Sequence, residues 1–153
     1  MNDQIVIRDL QETDADGVRA LDEQILGRDR SASWNEYVER FLRMSRMHTM
    51  TIPSWGSQVA EIDGKVAGFI LGERQTIGYG MPIGVRIVAL AVHPDYRRRG
   101  IGRKLVDALK AHCREHGVTQ VYSVLQAEDE RDARFLAACG FDQAPVRVLA
   151  CKL

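Results

Sequence analysis

The chain has 153 residues, 45% of them hydrophobic and 27% charged, and its 21 basic and 21 acidic side chains give a formal net charge of zero. That length suits a single domain over 1–153, and that apolar content excludes a disordered chain. A zero net charge gives no global basic field for a nucleic-acid polymer, and no apolar run approaches the ~20 residues of a membrane span.

The opening stretch MNDQIVIRDLQETD lacks a basic segment followed by a long apolar one, so a cytoplasmic protein with no membrane partner is expected. IVIRDL (5–10) reads as a first strand. In ETDADGVRALDEQIL, Val18, Leu21, Ile25 and Leu26 recur at helical spacing, and Thr13 or Asp14 is suited to cap that helix. After the polar GRDRSA, the stretch SASWNEYVERFLRM predicts a second helix. Ser33 and Glu36 form a capping-box pair there, and Trp34, Tyr37, Val38, Phe41 and Leu42 form an apolar stripe.

The period then changes. SQVAEI and VAGFILGE flank Asp63-Gly64, a hairpin signal, so two antiparallel strands are expected. Residues 74–84 are glycine-rich and read as a loop. VRIVALAV (85–92) is nearly all apolar, as a central strand covered on both faces would be.

From Ile101, the positions Ile101, Leu105, Ala108, Leu109 and Cys113 share one helical face, and Gly117 ends the helix. VTQVYSVL gives another strand, so strand, helix and strand form a parallel crossover. EDERDARFLAACGF predicts a last helix, and APVRVLACKL a closing strand that could form or extend a sheet between two copies. The order is that of one α/β domain with a mixed sheet. Cys113, Cys139 and Cys151 have neither CxxC nor His-rich spacing, so buried thiols are expected, with no disulfide framework and no metal site.

Between the central strand and the crossover helix lies HPDYRRRGIGRKL (93–105). A helix N-terminus carries unpaired N–H groups and partial positive charge, so it binds anions where the backbone is accessible. Gly100 and Gly102 allow close approach, and Arg97, Arg98, Arg99, Arg103 and Lys104 add charge. The spacing fits neither a dinucleotide GxGxxG nor a GxxxxGK[ST] loop.

Arg97-Arg98-Arg99-Gly100-Ile101-Gly102 resembles motif A, [Q/R]-x-x-G-x-[G/A], of the GNAT superfamily of acyl-CoA N-acyltransferases. LAVHPDYR (90–97) is similar to the run preceding that motif, and RFLAACGF (134–141) to the end of motif B. The resemblance implies a mostly antiparallel mixed sheet flanked by helices, with a parallel crossover around a splayed strand pair.

It further implies that the anion is the diphosphate of coenzyme A, held by backbone N–H groups from about Arg98 to Arg103. Pantetheine would lie along Leu90, Ala91 and Val92, the N–H of Leu90 would stabilise the oxyanion, and acetyl-CoA would be the co-substrate of a primary amine attacking in a ternary complex. Motif B would bring Asp129 and Leu136 to the cofactor, where the family commonly has Asn and Tyr. Leucine cannot donate a proton to the departing thiolate. Many members carry an acidic residue about where Val88 and Ala89 stand, so Glu73 is the expected base, with Glu128 and Asp129 as alternatives. Tyr79, Tyr96 and Tyr122 are the possible proton donors.

Arg28 and Arg30 fall in the region that usually borders the acceptor. Arg86, unusual in a buried run, would recognise an acidic substrate group or point outward. The missing Tyr and acidic strand residue also suit a non-catalytic CoA-binding module, and another acyl-CoA could serve as donor.

Overall fold

A computed structural model describes residues 4–26, 54–76 and 78–153 of the chain. Five strands form one sheet in the order β1 (Val6–Asp9), β2 (Gln58–Ile62), β3 (Lys65–Gln75), β4 (Gly84–Val92) and β5 (Val121–Ser123). Neighbours are antiparallel except β4 and β5, which run parallel. The Asp63-Gly64 hairpin forms as its sequence predicts, with φ of 50° and 75° at the two turn residues.

Helix α1 (Ala15–Leu26) packs Val18 and Leu21 on one sheet face, against Val59, Phe69 and Leu71. Helices α2 (Ile101–Glu115) and α3 (Glu130–Ala138) cover the other. There Ile101, Leu105, Val106 and Leu109 meet Ala60, Ile62, Ile70 and Val85, and Leu136 of α3 and Cys139 just past its end join them. Both sheet faces are covered, which is why β4 is apolar on both.

The entry to α1 is fixed by charge. Asp14, which is buried, accepts the Gln11 N–H at 2.7 Å and a two-pronged pair from Arg8 at 2.8 Å, and Arg8 also reaches Glu61 at 2.8 Å. The Arg8 guanidinium holds the Asp14 carboxyl below its ordinary value of 3.8, against the opposing pull of burial. Asp14 thus acts ahead of α1 rather than as its cap: it ends the one-turn helix Glu12–Asp14 and closes back on the N–H of Gln11.

Three expectations are corrected. The strand predicted over 118–125 pairs only at Val121–Ser123, because β4 and β5 diverge beyond Ile87 and Ser123. The closing strand over 144–153 does not form, since a strand needs a partner edge and this segment has none among the described residues. Cys113 and Cys139 are buried thiols as expected, but Cys151, in that segment, is exposed. The predicted helix over 31–44, with Trp34 and Tyr37, lies outside the described residues, as do Arg28 and Arg30. Among the described residues no helix is long and apolar enough to cross a membrane.

Candidate active site

Strand β4 controls the site through one extra residue. Leu71 pairs with Ala89 while the next residue, Gly72, pairs with Ile87, so Val88 is a bulge. Val85 and Ile87 point into the core beneath α2, Val88 and Ala89 both face the α1 side, and Leu90 and Val92 face α2 again. Past the bulge β4 continues to Val92 with no partner from β5.

The open edge has a defined polarity. The His93 N–H donates to Ala67 O at 2.8 Å, toward β3. Antiparallel pairing alternates, so Ala91 and Ala89 also turn their polar groups to β3, and Leu90 and Val92 turn theirs to the open side. There the Val92 carbonyl accepts Arg97 Nε at 3.2 Å. The N–H groups of Leu90 and Val92 face the gap.

At its end β4 enters a one-turn helix, Pro94–Tyr96, seated by the Asp95 N–H donating to His93 Nδ1 at 3.2 Å. The chain then twists through two left-handed residues, Arg98 at φ 64° and Gly100 at φ 74°. Such alternation turns successive N–H groups to one side, the arrangement that cradles oxyanions. The first helical bond back to Gly100 comes from the Lys104 N–H at 3.0 Å, so Ile101, Gly102 and Arg103 present N–H groups at the helix mouth.

The two glycines serve different ends. A Cβ on Gly100 would meet no atom within 4 Å, so that position needs glycine for its φ rather than for room. At Gly102 a Cβ would lie 3.2 Å from the Phe135 ring, so this glycine lets α3 close against the start of α2.

These pieces border one cleft of about 910 Å³, which runs from Arg97, Arg98 and Arg103 at the α2 mouth, past Leu90–Val92, to Asp22 and Ile25 of α1. Of the cofactor residues expected from sequence, Leu90, Ala91, Val92, Arg97, Arg98, Gly100, Ile101, Gly102 and Arg103 line it. Arg99 instead lies over the Tyr96 ring, 5.4 Å from its centre. Asp129 stands at the start of α3 without a side-chain cap bond, and the α3 residues on the cleft are Arg131, Asp132 and Phe135. Leu136 points into the core.

Of the three candidate tyrosines, Tyr96 lines the cleft, Tyr79 is fully exposed, and the Tyr122 hydroxyl has two acceptors within reach of its one proton, Pro82 O and Gln120 Oε1. Glu73 and Arg86 are cross-strand partners with a 3.7 Å ion pair. They share the sheet face of α1, because Val85 and Ile87 on either side of Arg86 point the other way. Arg86 Nε is buried and has no hydrogen-bond partner among the described residues.

Asp22 was not anticipated from the sequence. It is 5% exposed and sits in the cleft wall on the α1 side, with Val88 and Ala89. A signal existed: Val18, Leu21 and Ile25 place position 22 inside the apolar arc of α1, where a carboxylate is out of place. Among the described residues no group of His, Cys, Asp and Glu is arranged to hold a metal ion.

The shape is shared with known acetyltransferases. The aminoglycoside acetyltransferase AAC(6')-Iy, solved with a CoA-linked bisubstrate analogue, superposes with a TM-score of 0.75 at 19% identity over 98% of this chain and 99% of that one. A ribosomal-protein-alanine N-acetyltransferase from Brucella melitensis biovar Abortus 2308 gives 0.71 at 19% identity, over 98% and 100%. An L-2,4-diaminobutyric acid acetyltransferase from Nocardia farcinica is 31% identical over 80 residues, 52% of this chain and 40% of its own length, so the chain spans well under half of that relative. The acetyltransferase (GNAT) family model matches residues 22–141, most of the sequence and every residue that lines the cleft. The chain belongs to the acetyltransferase (GNAT) family.

Proposed function

We propose that the protein transfers the acetyl group of acetyl-CoA to a primary amine of a small acceptor that also carries a carboxylate. The observation that carries the transfer is the continuous cleft joining the N–H groups at the start of α2 to the open edge of β4. In this reading the diphosphate of CoA sits on the amides of residues 98–103, with Arg97, Arg98 and Arg103 around it, and pantetheine runs along Leu90–Val92.

The thioester carbonyl then lies at Leu90, whose N–H points into the gap and stabilises the oxyanion formed when the amine attacks. Collapse of that intermediate forms the amide and releases CoA as a thiolate, which takes up a proton. The amine must first lose its own, since near pKa 10 it is mostly protonated at neutral pH. Asp22, in the cleft wall, receives that proton in this reading, and Glu73 holds Arg86 in place. Fixing two substrates in one cleft supplies much of the acceleration, so a sparse set of acids and bases suffices.

Arg86 supports the acceptor's carboxylate. Its buried Nε lacks a partner among the described residues, its bond to Glu73 is long, and it stands about 7 Å along β4 from Val88, within reach of a short amino acid. The Nocardia relative is named for an acceptor of this kind. We place the enzyme in the cytoplasm, where three unpaired cysteines stay reduced. We also propose that it works as a homodimer, because one chain leaves apolar side chains uncovered.

Release of CoA thiol with 2,4-diaminobutyrate, its carboxamide, 1,3-diaminopropane and an aminoglycoside tests this. The expected result is a kcat/KM at least tenfold higher for the diamino acid than for its amide or the diamine, with that preference lost in Arg86→Ala. Equal rates for acid and amide would remove the carboxylate from the proposal and leave the transfer standing. CoA binding without turnover of any amine or acyl donor would make the chain a cofactor-binding module.

A further inference from the structure

The bulge at Val88 has a counterpart on the other side of β3. Gln58 of β2 pairs with Ile70, whereas Ser54, four residues earlier, pairs with Glu73, only three residues beyond Ile70. One residue is therefore extra on that side too, within 55–57, where Gly56 has φ 70°. Both neighbours of β3 gain a residue at the level of Gly72.

At that level a side chain takes the place of a backbone acceptor. The Ser57 hydroxyl, on a residue only 5% exposed, accepts the Gly72 N–H at 3.0 Å and lies 2.9 Å from Ser54 Oγ. The Trp55 N–H donates to Gly72 O at 2.7 Å. The approach is so close that a Cβ on Gly72 would lie 2.5 Å from Trp55 O. This clasp is braced on α2. The Trp55 ring stands edge-on to His112, with 4.9 Å between centres, and to His116 just past the helix end, at 5.6 Å. The helix whose first turn borders the cleft thus also supports the residue opposite the bulge.

We propose that Ser57 is a positioning residue for acyl transfer: by holding Gly72 it keeps the extra residue of β4 at Val88, and so keeps the Leu90 N–H turned to the gap. The inference rests on the reading of that N–H as the oxyanion donor. Without the hydroxyl, the Gly72 N–H is buried with no acceptor, and a shift of Gly72 against β4 is the way to find one. On β4 the residues 85–87 are held by β5, and the His93 N–H is bound to Ala67 O. Between those two anchors a released bulge moves toward Leu90. Passing it flips residues 89 and 90 and leaves Ala91 as it is.

Ser57→Ala should lower kcat at least tenfold and leave the acceptor KM and the CoA dissociation constant within twofold. Ser57→Thr, which keeps a hydroxyl, should recover kcat to within threefold of the parent. Amide hydrogen exchange followed by 15N NMR reads the bulge without reference to activity. In the parent the Leu90 amide should exchange fast, and those of Ala89 and Ala91, turned to β3, slowly. In Ser57→Ala the Ala89 rate should rise at least tenfold relative to that of Ala91. Should that variant not fold, Ser54→Ala, which removes only the partner of the Ser57 hydroxyl, should shift the same ratio at least threefold. An unchanged ratio overturns the proposal whatever happens to kcat, because Ser57 would then serve stability alone. A raised ratio with kcat unchanged upholds the clasp and overturns instead the oxyanion role of Leu90.

Discussion

The two ends of the cleft are made of different materials. At the α2 mouth the groups that face the cleft are backbone amides, aimed by two left-handed residues and made accessible by glycine. At the α1 end a side chain, Asp22, stands in the wall, and the Glu73–Arg86 pair shares that sheet face outside the residues that line the cleft. Amides suit a ligand that never changes, because any residue supplies one. Side chains suit an acceptor that differs from enzyme to enzyme within one fold.

The largest effect expected from that contrast is at Gly100. Gly100→Asp should weaken CoA binding at least tenfold by calorimetry, since it places a carboxylate against the diphosphate at a position with φ 74°. Gly100→Asn, nearly the same shape, tolerant of that φ and uncharged, should lose threefold or less. Equal losses in the two variants would mean that backbone strain, and not charge at the amides, governs the site.

At the other end, Asp22→Asn should remove the acidic limb of the kcat/KM profile and leave CoA affinity within twofold. Glu73→Gln should keep that limb and raise the acceptor's KM through Arg86. The opposite pattern would move the base to Glu73. A change in CoA affinity in either variant would show that the two ends are not independent.

The smallest effect lies away from the cleft. Because Asp14 titrates below its ordinary 3.8 in the folded protein, its contribution is present above that pH and is lost as pH falls through the lowered folded value. Asp14→Asn should cost about 1–3 kcal/mol near neutral pH by urea unfolding and flatten the decline in stability toward pH 3. CoA affinity should not change.

The same division explains what could be read in the residues. Arg97 to Gly102 announce the anion turn because it depends on local conformation and glycine, both of which a sequence displays. The hairpin at Asp63-Gly64 and the stop at Gly117 were legible for that reason, and Gly117 indeed adopts φ 72°. Asp22 was harder to see, since its significance comes from facing Val88 and Ala89 across the fold. The Arg8–Asp14–Glu61 cluster was hidden by the 53 residues that separate Arg8 from Glu61. The sixth strand was misjudged for another reason: composition reports a segment's preference for an extended, paired state, while a free partner edge is a property of the tertiary fold.

The bulge at Val88 sets the aim of the proposed chemistry by parity. One surplus residue shifts the odd–even phase of β4, so that position 90, rather than 89, turns its amide to the gap. Straightening the bulge with all nine residues kept would change no side chain type in the strand and yet turn the N–H of Leu90, the proposed oxyanion donor, toward β3. The reacting carbonyl would then meet a strand facing the wrong way, in an otherwise intact sheet.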